Sequence, residues 1–317
     1  LENVPKSAYV EFGSTYPTVR EPRQGTYSIV AFDPATGATG VAVQSHWFSV
    51  GALVTWAEAG VGAVATQANV EVSYGPEGLD RLRAGESARE ALAALTAADG
   101  FAAVRQVAIV DARGGVAAHT GAECMRFAGQ TVGAHHSCQA NMMAGPEVWP
   151  AMSAAFEATG GGLTERLLAA LDAGEAAGGD IRGRQSAAIL VVPGEGRPWE
   201  RIVELRVEDH PEPLVELHRL AAMHDAYVVA GEGDELAGEN RHDEAAAKYL
   251  EAYERAPDAI ELEFWAGLAQ IQRGDVDSGL SHLRATIAEN PGWRELLDLL
   301  EPHTSPIAAE ARRLLDA

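Results

Sequence analysis

The stretch GTYSIVAFDPATGATGVAVQS, residues 25–45, decides the fold. Tyr27-Ser28-Ile29-Val30-Ala31-Phe32 carries the β-branched and aromatic residues of a strand. Asp33-Pro34 and Thr36-Gly37 supply turn chemistry, and Gly40-Val41-Ala42-Val43-Gln44-Ser45 answers as the second strand of a hairpin. Upstream, residues 1–25 are polar, are interrupted by Pro5, Pro17 and Pro22, and show no sustained periodicity. They read as a leader, and the character of the chain changes at Gly25-Thr26.

Downstream the hairpin pattern continues. Ala52–Trp56 and Gly62–Thr66 are expected as strands around a Glu58-Ala59-Gly60 turn. Leu79, Leu82, Ala88, Ala91, Leu92 and Leu95 recur at helical spacing, which predicts a helix over 75–98. Strands return at Gln106–Asp111 and Gly115–His119, and a further hairpin centres near Thr131. Glu147–Ala158 and Leu163–Ala173 read as a helical pair, and Ser186–Val192 and Ile202–Val207 as strands. Tight hairpins require antiparallel pairing, so the expected class is α+β. Two antiparallel sheets face to face, with helices outside, satisfy this order.

Beyond Pro213 the strand signals stop, and residues 214–317 are expected to be all-helical. Leu236, Ala245, Tyr249, Ala252 and Pro257 occupy the spacing of a tetratricopeptide helix pair. Pro291 follows Pro257 by 34 residues, and Gly267 takes the place of Gly233. Gln270 and Gly279 depart from the repeat pattern. The expected domains are thus a leader (1–25), an α+β domain (26–213) and a tetratricopeptide-like tail (214–317).

Composition narrows the function. A formal net charge of -22 argues against nucleic acid, and no run of apolar residues is long enough to span a membrane. Residues 226–317 hold 19 acidic and 8 basic residues, a net of -11. Two readings stand for such a tail: it favours basic partners, or its acidic residues only keep the outer face solvated. Lysine occurs only at Lys6 and Lys248, which removes it from the candidate bases of the α+β domain. Cys124 and Cys138 lack zinc-type spacing. Two readings stand for them: a disulfide across the hairpin near Thr131, or two separate thiols. His119, His135 and His136 do not suggest a metal, because adjacent residues on a strand point to opposite faces. No basic-then-apolar signal segment is seen, so a cytoplasmic location is expected. The chain starts at Leu1 rather than Met, so earlier removal of a leader is the alternative.

The chemistry centres on Gly25-Thr26. A threonine hydroxyl needs a base beside it, and a free α-amine on the same residue can be that base. That amine has an ordinary pKa of about 8. Exposing it means cutting the preceding bond, and a glycine there leaves room for attack on its carbonyl. The plainer reading of Thr26 is a strand former.

Four segments, residues 26–85 (TYSIVAFDPATG…DRLRAG), 105–124 (RQVAIVDARGGVAAHTGAEC), 139–152 (QANMMAGPEVWPAM) and 178–192 (GGDIRGRQSAAILVV), resemble a bacterial domain-of-unknown-function family. That family is placed in the N-terminal-nucleophile (Ntn) hydrolase superfamily, with proteasome subunits and several amidohydrolases. The resemblance implies a four-layer αββα sandwich of antiparallel sheets with Thr26 at one end of the central strands. It implies no substrate. Family members often begin Met-Thr-aromatic-Ser-Ile-Val, whereas here 25 residues precede the threonine, so exposing it requires self-cleavage or a protease. Proteasome-like members keep a lysine near the nucleophile. This domain has none, and His46 and Arg182 are the candidate substitutes.

The expected function is amide-bond hydrolysis with Thr26 as nucleophile after cleavage between Gly25 and Thr26. Asn141 is expected as an oxyanion donor. Ser28, Gln44, Ser45, His46, Thr66, Asp180 and Arg182 are expected around the substrate, with the Asp180–Arg182 pair suited to a carboxylate. For each of these a hydrogen-bonded structural role is the alternative. No cofactor or metal is expected. The expected partners are a small amide or peptide substrate, further copies of the chain in a homo-oligomer, and a protein at the helical tail. The other reading is a non-catalytic scaffold of the same fold whose tail recruits a partner.

Overall fold

The computed structural model describes residues 25–317, so the expected leader, apart from Gly25, lies outside the described residues. The strands are β1 (Thr26–Phe32), β2 (Thr39–Ser45), β3 (Thr55–Glu58), β4 (Gly62–Ala68), β5 (Arg105–Asp111), β6 (Val116–Thr120), β7 (Gly129–Val132), β8 (His136–Asn141), β9 (Ser186–Val192) and β10 (Val203–Val207). They form a six-stranded sheet, ordered β10-β9-β2-β1-β8-β7, and a four-stranded sheet, ordered β3-β4-β5-β6. Every pairing is antiparallel. The class is α+β, as the hairpins require.

A short helical turn, α1 (Gly51–Val54), precedes β3, so the strand expected from Ala52 begins three residues later. The helix expected over 75–98 is two helices, α2 (Tyr74–Arg83) and α3 (Ala88–Ala98). Gly85, at φ +96°, ends the first. Ser87 starts the second with a capping box, its hydroxyl accepting from the Glu90 amide while the Glu90 carboxylate accepts from the Ser87 amide. The helical pair is α4 (Val148–Ala158) and α5 (Leu163–Ala176).

Period-2 alternation sorts the core into separate clusters. Tyr27, Ile29, Ala42, Cys138, Ala140 and Ile189 face Met152, Phe156, Leu167 and Leu171 of the α4–α5 pair. Val30, Val41, Val43, Ala63, Ala65, Ala108 and Val110 fill the space between the sheets. Val64, Val107 and Ile109 meet Leu79, Leu82, Leu92 and Leu95 on the other side of the smaller sheet.

His136 is buried under α4, with Nε2 2.8 Å from Ser153 Oγ. Desolvation holds its pKa below the ordinary histidine range, with Glu157 pulling the other way. Above about pH 6.5 it is neutral in both states and contributes no pH dependence. As pH falls below that value the unfolded chain takes up the proton first, and stability is lost. Urea midpoints at pH 7.5 and pH 5 should therefore differ less in His136→Gln than in the unaltered protein; an equal difference would show that other groups carry it.

The cysteines are both free. Thr131 pairs with Cys138 rather than forming the hairpin turn, which falls at residues 133–135. Cys138 faces the α4–α5 cluster, while the Cys124 thiol donates to the Arg105 carbonyl on the other sheet. The cross-hairpin disulfide is therefore not formed. Burial pushes the Cys124 thiol up to about 11.

The tail comprises α6 (Pro213–Gly238), α7 (His242–Arg255), α8 (Ile260–Gln272), α9 (Val276–Glu289), α10 (Gly292–Leu299) and α11 (Ala308–Leu315). Among the described residues no helix is long and apolar enough to cross a membrane. Short connections make α6 to α9 antiparallel neighbours. Gly233 sits against the Tyr249 ring, where an added Cβ would lie 2.8 Å from it. Gly267 and Gly279 face each other across α8 and α9; a Cβ on Gly279 would fall 2.6 Å from the Gly267 carbonyl. Gly279, a departure from the repeat in sequence terms, is thus needed for close approach of two helix backbones.

No linker marks the expected boundary at Pro213. Pro213 occupies the first turn of α6, where a missing N–H costs nothing. Leu214, Leu217 and Ala221 complete the cluster under the larger sheet, and Ala226, Val229 and Ala230 join the tail. A chain ending at residue 225 should still unfold cooperatively on heating. One ending at residue 212 should lose about 3–6 kcal/mol with Leu214 and Leu217. Equal stability of the two would mean that the start of α6 is not part of the core.

Candidate active site

The register places the polar ends of four strands side by side. Thr26 on β1 is paired with Ser45 on β2 and with Asn141 on β8, and Ser45 is paired with Ser186 on β9. Thr26 is only 1% exposed. Its position shares the face of Ser28 and Val30, between the sheets. Thr26 Oγ1 lies 3.1 Å from Ser45 Oγ, and Ser45 Oγ donates to the Gly25 carbonyl at 2.5 Å. Arg182 Nη2 donates to the same carbonyl at 2.7 Å. The carbonyl preceding Thr26 thus accepts from one hydroxyl and one guanidinium.

Asp180 fixes this arrangement. Its Oδ1 accepts from Arg182 N (2.9 Å) and Nε (3.0 Å), and its Oδ2 from Arg182 Nη2 (2.7 Å) and His46 N (3.0 Å). The loop carrying it is docked on the end of β8: Ala144 N donates to Gly179 O and Ile181 N to Met142 O. The Asp180 side chain is fully buried while that of Arg182 is 24% exposed, so the pair is partly desolvated and its geometry is held from both sides.

Behind Thr26 lies a network of neutral side chains. Gln67 on β4 reaches across from the smaller sheet, its Nε2 donating to Thr26 O (3.1 Å) and Gln106 Oε1 (2.7 Å). Asn141 Nδ2 donates to the same Gln106 oxygen at 3.0 Å and lies 3.4 Å from Thr26 O. Gln106 Nε2 donates to Ala140 O, Thr120 Oγ1 and Gly129 O. Ser28 Oγ donates to Gln67 Oε1 and accepts from Gln139 Nε2. The residues after Gln67 and Asn141, Ala68 and Met142, have φ of 68° and 57°. Both non-glycine residues take the left-handed conformation, at roughly 1–2 kcal/mol each, where their strands end beside Thr26.

Residues 26–217 match the model of a family described as of unknown function, DUF1028, and the matched segment begins at Thr26. The chain belongs to the DUF1028 family. The crystal structure of protein SPO2555 from Silicibacter pomeroyi, of the same family, is 36% identical over 62% of this chain and 88% of its own, with a TM-score of 0.57. No curated protein matches.

Within the DUF1028 segment, Thr26, Ser45, Asp180, Arg182 and Asn141 gather at one end of the sheet. Asn141 is not on the Gly25 carbonyl, though: its amide is turned to Gln106 and Thr26 O, and the donors are Ser45 and Arg182. Ser28 is enclosed in the glutamine network. Gln44 points to the opposite face of β2, with Ala42, because it is one residue off the parity of Ser45. Thr66 likewise faces away, its hydroxyl donating to Glu71 O, and Gln67 is the β4 residue that reaches Thr26. His46 offers its backbone N–H to Asp180, while its ring lies by Arg184 O at 3.2 Å. Of the two substitutes for lysine, Arg182 is the one at the Gly25–Thr26 bond.

Gln106 and Gln139 are the site residues that the sequence reading missed. Gln106 continues the inward-facing alternation of Ala108 and Val110 on β5, whereas Gln139 shares its face of β8 with the polar Ser137 and Asn141. His119, His135 and His136 are dispersed onto Ala102 O, Gly114 O and Ser153 Oγ, and among the described residues no group of three or more His, Cys, Asp or Glu side chains could hold a metal.

Proposed function

We propose that this DUF1028 protein is an Ntn-type amide-bond hydrolase, its two sheets and flanking helices forming the four-layer αββα sandwich and α6–α11 a tetratricopeptide-like tail. The observation that carries this reading is the pair of donors, Ser45 Oγ and Arg182 Nη2, on the carbonyl directly before a threonine that opens the central strand. Hydrogen-bond donors placed on a carbonyl oxygen stabilise the charge that develops there on attack. The start of the family match at Thr26 also supports it.

In the first reaction Thr26 Oγ1 bonds to the Gly25 carbon and the Gly25–Thr26 C–N bond breaks. The hydroxyl proton passes to the departing nitrogen, and Ser45 Oγ, 3.1 Å from Thr26 Oγ1, is the side chain beside the hydroxyl that gives it up. Water then cleaves the ester, releasing the Gly25 carboxylate and restoring the hydroxyl beside a free amine. In turnover that amine serves as the base for attack on a substrate amide. Arg182 supplies the positive charge for which a lysine is used in proteasome-like relatives.

Intact-mass spectrometry during ageing at neutral pH tests this: a new amino terminus at Thr26 is expected. A chain that never exposes Thr26 under any condition would sink the mechanism. A second reading, a scaffold that recruits proteins through its acidic tail, is favoured by the burial of Thr26 and by an open surface depression of about 390 Å³ in the tail, lined by Asn240, His242, Asp243, Gln272, Pro306 and Ile307.

A further inference from the structure

A Cβ placed on Gly25 would lie 2.7 Å from both carboxylate oxygens of Asp180 and 2.8 Å from its Cγ. The carboxylate cannot swing aside cheaply. Its oxygens hold hydrogen bonds from Arg182 N, Nε and Nη2 and from His46 N, and two of these donors are backbone groups. Moving it would unpair a partly buried arginine and two amides at once. The space beside the acyl Cα is therefore filled by a pinned group.

We propose, resting on the hydrolase reading above, that the substrates are amides whose acyl Cα carries no L side chain, glycyl amides being the simplest. The argument links the precursor to turnover through a shared intermediate. Attack by Thr26 on the Gly25 carbonyl gives a glycyl ester on Oγ1, and attack on a glycyl amide gives an ester of the same kind. In both, the acyl oxygen sits under Ser45 Oγ and Arg182 Nη2, and the acyl Cα sits against Asp180. The amine leaves with one proton, and water then returns the acid and the free hydroxyl. A methyl group on that Cα would meet the Asp180 oxygens in the ester as it does at Gly25.

The test has two arms. In the first, the full chain carrying Gly25→Ala is aged and its cleavage followed by intact mass, with thermal unfolding as a check on folding. Cleavage about 10–100-fold slower than in the unaltered chain is expected at an unchanged melting temperature. In the second, the chain cleaved at Thr26 is given N-acetylglycine 4-nitroanilide and N-acetyl-L-alanine 4-nitroanilide, with Thr26→Ala as the control. Thr26-dependent release of nitroaniline should favour the glycyl compound by a similar factor. Release from the alanyl compound as fast as from the glycyl one, or Gly25→Ala cleaved at the unaltered rate, overturns the substrate class and leaves the hydrolase reading standing. An uncut chain that releases nitroaniline from neither compound overturns both.

Discussion

A Thr26→Ala chain should stay whole during ageing at neutral pH, and a Ser45→Ala chain should be cut about 10²–10³ times more slowly than the unaltered one. The first substitution removes the attacking oxygen. The second removes the atom 3.1 Å from that oxygen and one of the two donors on the Gly25 carbonyl. Arg182 Nη2 remains at 2.7 Å, which is why Ser45→Ala is expected to slow the cut rather than abolish it. Time courses of intact mass measure both rates, and thermal unfolding checks that the sheet ends remain folded. Cleavage of Thr26→Ala at the unaltered rate would assign the cut to an outside protease. Cleavage of Ser45→Ala at the unaltered rate would leave Arg182 as the sole functional donor.

The second large effect concerns stability. Gln106→Leu should cost about 3–5 kcal/mol in urea denaturation, near the upper end for a single substitution. Gln106 is fully buried, and its oxygen accepts from both Gln67 Nε2 and Asn141 Nδ2. Its nitrogen serves Ala140 O, Thr120 Oγ1 and Gly129 O. Leucine fills similar space but leaves two buried donors and several acceptors without that partner. Gln44→Leu is the contrasting case. Gln44 is equally buried, but its amide has no hydrogen-bond partner among the described residues, and its face of the sheet is apolar. That substitution should be neutral or stabilising. Similar losses at both positions would mean that the network between the sheets contributes no special stability.

These two glutamines mark the limit of what could be read from the chain. Each lies one residue in from a strand end, both are fully buried, and the sequence reading selected Gln44 rather than Gln106. Strand parity assigns each to a face, but it does not say which face meets the second sheet. That pairing emerges only when β4 and β5 bring Gln67 and Gln106 against β1 and β8. The same ambiguity explains Thr66, chosen in place of its neighbour Gln67, since a shift of one residue along a strand exchanges the faces. Asn141 lies beside Thr26, but its amide is turned to Gln106 and Thr26 O rather than to the Gly25 carbonyl. Register is a backbone property, whereas the direction of an amide is set by whichever acceptors surround it.

By itself the sequence determined most of the strands and the antiparallel pairing of those joined by hairpins, because hairpin turns and alternation act over a few residues. It also singled out Gly25-Thr26, where a polar stretch gives way to a strand, and it separated the helical tail from the α+β domain by period alone. Only the tertiary structure decided that the first turns of α6, beyond the expected boundary, belong to the core of the α+β domain, because burial of Leu214 and Leu217 depends on the distant larger sheet. It alone set Asp180 against Gly25, 155 residues away in sequence (180 minus 25), and put Ser45 and Arg182 on one carbonyl. Contacts of that kind join side chains from separate strands and loops, and local periodicity carries no information about them.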